Sequence, residues 1–170
     1  MSTEPHLGRL MRDKLIDPGV LLVGSIRLDG RPRISGVEPL VMDGDLWLSM
    51  MEQSMKTRDL RRDGRIVLNS IITDRGGEME VKIDGRAREE KGEERLRAYA
   101  DTTAKQLGWR PVVGHFALFQ IDLVSVTVIG YDPKTGDQHV ARWPQRDEYL
   151  RAATTPTSLG PPTDVRRIFE

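Results

Sequence analysis

Residues 20–50 read VLLVGSIRLDGRPRISGVEPLVMDGDLWLSM. Val20–Leu28 is crowded with apolar and β-branched residues, the composition of a strand. Asp29-Gly30 follows, a hairpin turn in which glycine supplies positive φ without a steric cost. The return strand, Arg31–Met42, carries Pro32 and Pro39. Each proline removes a ladder donor, which predicts an edge or a bend. Asp43-Gly44-Asp45 turns the chain again into Leu46–Met50. Three antiparallel strands in one meander point to a β fold with short connections.

The pattern continues outward on both sides. Upstream, Leu7, Leu10, Met11 and Leu15 share one face at helical spacing, after Thr3, Glu4 and Pro5 as cap and first turn, and Asp17-Pro18-Gly19 stops that helix. Downstream, Ser54 opens a short helix to Arg62, closed by Gly64. Arg65–Thr73 is a strand, Asp74–Gly77 a turn, and Glu78–Glu89 a strand. In that last strand Met79, Val81 and Ile83 alternate with Glu80, Lys82 and Asp84, as one wet face requires. A longer helix spans Glu93–Leu107, with Leu96, Tyr99, Ala100 and Leu107 on its buried face and Gly108 at its end. Trp109 reads as core. His115–Tyr131 is a long strand bent near Asp122, and Gln138–Trp143 is the last. The tally is about seven strands with two or three helices inserted, a mainly β antiparallel barrel. Residues 1–150 form its domain; the Thr- and Pro-rich 151–170 is a tail, extended or disordered.

Composition narrows the function. The 170 residues suit one domain. Lys and Arg total 26, and Asp and Glu total 26, so no net field draws nucleic acid or an anionic membrane. There is no cysteine, which removes disulfides, thiolate catalysis and cysteine-bound metal. No apolar run approaches a membrane span and no signal-peptide core is visible, so the expectation is cytoplasmic. P-loop, Rossmann and G-x-S-x-G patterns are missing. His6, His115 and His139 are scattered, unlike the close pairs of metal motifs.

One segment stands out: Ser49-Met50-Met51-Glu52-Gln53-Ser54-Met55-Lys56-Thr57-Arg58-Asp59-Leu60-Arg61-Arg62. A strand ends, a polar loop follows, and a helix opens. Free amides and the helix dipole favour an anion there. Lys56 and Arg58 sit in the first turn, where a bound phosphate would offset their unfavourable position. Arg33 on the neighbouring strand can reach the same place. Asp59 and Asp63 intersperse with the cations, so the same segment also reads as a solvated helix face.

From about residue 10 to residue 145 the chain resembles the pyridoxamine 5′-phosphate oxidase-like family of FMN-binding split barrels. Three segments carry the resemblance. They are Gly24–Arg33 as the opening hairpin, Ser54–Ile66 as the phosphate-binding helix leading into a strand, and Val81–Arg88 before the long helix. The resemblance implies a six- to seven-stranded antiparallel split barrel, a homodimer with cofactor at the subunit interface, and a small-molecule substrate. It implies that Lys56 and Arg58 bind the cofactor phosphate, with Ser54 before them and Ser49 beside it. Arg33 and Ser35 would approach the ring system or phosphate, and Trp143 would reach the partner's cofactor. Met55 stands where a second basic residue is usual, and Glu38 where a lysine near the flavin is usual. These departures weigh against pyridoxamine 5′-phosphate as the substrate. The Lys-x-Arg-x-Leu helix is also similar to members that use a deazaflavin coenzyme. An FMN- or deazaflavin-dependent oxidoreductase and a non-catalytic flavin-binding module both fit. So does a haem-binding module, with His115 or His139 as axial ligand. No catalytic side chain and no metal ligand set is assigned.

Overall fold

The computed structural model describes residues 5–72 and 79–169. The Thr3 cap and the Asp74–Gly77 turn lie outside those residues. The chain opens with α1, Pro5–Met11, continued by one π-helical turn, Arg12–Ile16. Leu7, Met11 and Leu15 are buried on its inner face. Then come β1 (Leu21–Ile26), β2 (Pro32–Val37), β3 (Pro39–Met42), β4 (Asp45–Met51) and helix α2 (Met55–Arg62). Next are β5 (Arg65–Asn69), β6 (Glu80–Glu90), helix α3 (Glu93–Leu107) and the long β7 (Phe116–Tyr131). The chain finishes with β8 (Gln138–Trp143), β9 (Asp147–Thr155) and β10 (Ser158–Asp164).

All pairings are antiparallel, in the order β10-β9-β8-β7-β6-β5-β1-β2, with β4 on β7 and β3 on β4. The mainly β reading with inserted helices therefore holds. The strand number differs from the expected six or seven, for two physical reasons. Arg31–Met42 is two strands, because the chain breaks at Glu38. β2 pairs with β1, whereas β3 pairs with β4, so consecutive strands lie on opposite edges of one curled sheet. Pro39, which has no amide to donate, opens the second of them. The barrel is thus split at Glu38, where the chain crosses and the ladder does not. The second difference lies in 151–164, which forms part of the hairpin β9–β10 extending the sheet beyond β8. Pro161 and Pro162 fall in β10, an edge strand that tolerates missing donors.

β7 belongs to both parts of the sheet. Its first half pairs with β4 and its second half with β8, while β6 runs along its other side. The bend expected near Asp122 is a bulge: Asp84 faces Ser125 but Gly85 faces Leu123, leaving Val124 extra. Gly85 is needed there, since a Cβ would stand 2.9 Å from the Asp122 carbonyl.

Two cores result. The larger fills the barrel with Val23, Leu48, Leu68, Ile83, Phe119 and their neighbours. The smaller lies under α3, where Tyr99 meets Leu40, Met42, Trp47, Phe116 and Leu118. Leu107, expected on the buried face of α3, is exposed in its last turn. After β10 the chain returns to bury Ile168 and Phe169 against the barrel core. Buried Glu148 fastens that return: Oε2 accepts the amides of Arg167 and Ile168 at 2.9 and 2.8 Å, and Oε1 lies 2.6 Å from His139 Nε2. No described helix is long and apolar enough to cross a membrane.

Candidate functional site

A cavity of about 680 Å³ opens at the split. Gly36, Val37 and Glu38 form one wall, and Ser49, Met50 and Met51 from the end of β4 form another. Lys56 enters from α2, and Trp109–Val112 with His115 and Phe116 close the side. The size and the mixed lining are those of a small-molecule or cofactor site.

The N-terminus of α2 is built as its sequence requires. Ser54 is the N-cap, its Oγ accepting from the Thr57 amide at 3.3 Å. The Thr57 hydroxyl donates to the Met51 carbonyl at 2.9 Å and so ties the helix start to the end of β4. The amides of Met55 and Lys56 are the first of the helix and have no acceptor within it. Ser54's oxygen is thereby engaged in the cap, facing Thr57 rather than standing free.

The cations around α2 divide into two groups. Arg33 Nε lies 2.6 Å from Asp59 Oδ2, and Asp59 is only 2% exposed. Arg62 reaches the other Asp59 oxygen at 3.4 Å and also donates to the Ile26 carbonyl. Ser25 Oγ adds a 3.4 Å bond to Asp59. Arg61 pairs with Glu52 at 2.6 Å and with Glu89. Arg61's hydrogen bond, opposed by burial, leaves the Glu89 carboxyl below its ordinary value. Lys56 and Arg58, by contrast, have no carboxylate partner among the described residues. They also face different ways, being about 200° apart on the helix. Lys56 lines the split cavity. Arg58 lines a neighbouring hollow with Arg27, Arg33, Met55 and Arg62.

The structure therefore places Ser49 and Lys56 together in the split cavity, and Arg33 and Arg58 together behind α2. Ser35 is half-buried on β2 opposite Val23 and lines neither. Trp143 ends β8 opposite Val126 and packs on the barrel core. Of the two histidines weighed as ligands, His115 lines the split cavity, whereas His139 is buried against Glu148. Among the described residues no three His, Asp or Glu converge as for a metal ion.

Trp109 was not read as a site residue. It is 45% exposed rather than core, and it stands on the cavity wall. The signal was local: Gly108 ends α3 at φ +76°, and Pro111 follows at once, so Trp109 falls in a surface loop. Arg110 in the same loop pairs with Asp101 of α3. Tyr99 was also missed. Its hydroxyl donates to Ser49 Oγ at 3.0 Å. Burial holds the Tyr99 phenol above its ordinary value, against the hydrogen bonds to Ser49 and Thr103 and with the help of the Glu38 charge.

Comparison with known proteins agrees with this fold. No curated protein sequence matches the chain. Among solved structures, General Stress Protein 26 from Bacillus anthracis aligns at TM-score 0.57 with 15% identity, over 75% of this chain and 94% of that one. PhzG from Burkholderia lata, solved with tetrahydrophenazine-1-carboxylic acid, aligns at 0.58 with 14% identity, over 97% and 93%. An F420 reductase aligns at 0.55 with 12% identity, over 68% and 94%. Identities this low bear on the fold alone. The family model described as pyridoxamine 5′-phosphate oxidase matches residues 8–130, which takes in β1 to β6, both helices that flank the site, and nearly all of β7. With most of its length matched, and with the split and its cavity in place, the chain belongs to the pyridoxamine 5′-phosphate oxidase family.

Proposed function

We propose that this protein is a flavin-dependent oxidoreductase that holds FMN in the cavity at the split and moves hydride between it and a small molecule. Lys56 carries the proposal. It is a half-buried ammonium with no carboxylate partner among the described residues, beside the two free amides that open α2. An ammonium in that place lacks a counter-ion, and a phosphate supplies one. Ser49 offers a hydroxyl on the same wall, while Met50, Trp109 and Phe116 offer apolar surface to a planar ring. FMN would supply the hydride chemistry; the protein would bind, orient and exclude water. No side chain here is cast as acid or base.

A homodimer is part of the proposal. Met51, Trp109 and Val112 leave apolar surface exposed around the cavity, which a second copy would cover. Trp143 would meet the partner's cofactor. A deazaflavin coenzyme is the second reading, favoured by the structural likeness to an F420 reductase.

Parallel titration with FMN and with the deazaflavin coenzyme, followed by cofactor fluorescence, tests both. Saturation by one of them, lost in a Lys56→Ala/Arg58→Ala variant, is the expected result. Full affinity in that variant would sink the phosphate assignment. Binding without turnover of any reduced cofactor would make the protein a flavin carrier instead of an enzyme.

A further inference from the structure

Tyr99 lies outside the cavity, yet its hydroxyl bonds a residue of the cavity wall, Ser49. The side chain is 2% exposed. Leu40, Met42, Trp47 and Leu118 surround the ring, which tilts against Phe116 with centroids 5.6 Å apart. Packing of this kind leaves the phenol little freedom. Its hydroxyl donates to Ser49 Oγ at 3.0 Å, and Ser49 lines the cavity.

A serine hydroxyl has one proton and two lone pairs. Here one lone pair is occupied by Tyr99. The Ser49 proton is not spent on that bond, and it has no protein acceptor among the described residues. We propose that Tyr99 is a positioning residue that fixes Ser49 as a hydrogen-bond donor toward the cavity, selecting an acceptor atom on the bound flavin, a phosphate oxygen or a ring carbonyl. The inference rests on the flavin reading of the cavity. The geometry gives the direction of the bond, from the phenol to the serine oxygen. A donated bond also polarises the serine it reaches, strengthening the proton that Ser49 gives onward. The long helix α3, which makes no wall of the cavity, thereby acts on the ligand through one hydroxyl.

The test is a double-mutant cycle on FMN affinity, or on deazaflavin affinity if only that coenzyme binds. Ser49→Ala and Tyr99→Phe are each expected to weaken binding about two- to tenfold, the worth of one hydrogen bond. The double variant is expected to be no weaker than Ser49→Ala, because Tyr99 acts through Ser49. Ser49→Thr, which keeps the hydroxyl, is expected to restore affinity. An equal loss from Tyr99→Phe in the Ser49→Ala background would overturn the proposal, since it would mean packing alone. So would a Tyr99→Phe variant that binds as well as the unmodified chain. If Tyr99→Phe does not fold, 3-fluorotyrosine incorporation replaces it. The more acidic phenol should tighten binding only where Ser49 is present, and tightening without Ser49, or none with it, overturns the relay. Failure of the unmodified chain to bind either coenzyme is a separate result. It removes the flavin reading, and with it the acceptor that the serine is proposed to meet.

Discussion

The arginines behind α2 and the two cations of its first turn are the same chemistry in opposite circumstances. Arg33 and Arg62 converge on Asp59, and Arg61 is held between Glu52 and Glu89. Lys56 and Arg58 have no such partners among the described residues. In a chain whose charges balance, an unpaired cation beside free helical amides is where an outside anion fits. Paired arginines serve the fold, and the unpaired cations are the ones proposed to serve a ligand. The difference is visible only once the partners are in place.

The sharpest way to break this comparison is at Asp59. Replacing a buried carboxylate that holds two guanidinium groups leaves them unpaired, and Asp59→Ala should cost about 3 kcal/mol of stability. A calorimetric or denaturant melt would show it. A change under about 0.5 kcal/mol would mean that Arg33 and Arg62 need no partner and that the two groups do not differ. Lys56→Ala should do the reverse. Stability should stay within about 0.5 kcal/mol, as for a surface change, while FMN affinity falls about tenfold or more. Arg58→Ala, on the other side of the helix, should lose less affinity than Lys56→Ala. Equal losses would place both cations on one phosphate.

The smallest effect is expected at Glu89. Its folded carboxyl sits below its ordinary value of 4.5 because Arg61 bonds it. A lowered folded value means stability that is complete above the unfolded value and is lost as pH falls through the folded one. Glu89→Gln should therefore lower the melting temperature at neutral pH and flatten the acid limb below about pH 4.5. The amount should stay under about 1 kcal/mol, since the pair is near the surface. An unchanged acid limb would show that Arg61 is held by Glu52 alone.

Much of the fold was legible in the sequence. The alternation in Val81–Asp84 places one face of β6 on the barrel core, and the run Glu93–Leu107 with Gly108 after it matches α3 end to end. The break at Glu38 was not legible, because Pro39 signals an edge without saying which edge. The β9–β10 hairpin was hidden by Thr and Pro, residues that read as a tail unless a neighbouring strand receives them. At the site, Ser49 and Lys56 were legible because strand end and helix start are adjacent in sequence. Arg33's commitment to Asp59 was not, since it spans elements that only the sheet brings together. Tyr99 was read rightly as buried, but burial says nothing about where its hydroxyl points.

The continuity of β7 has a consequence for how the chain folds. Every rung between β6 and β7 closes a loop that contains all of α3, and β4 must find β7 across an even longer interval. Pairings of that separation cost loop entropy before they return any burial. α3 and the β1–β2 hairpin can form from local contacts early. The barrel and the β8–β10 extension both wait on the same strand. Folding should therefore be slow for a chain of this length, with the barrel and the extension gaining hydrogen-exchange protection together when β7 docks.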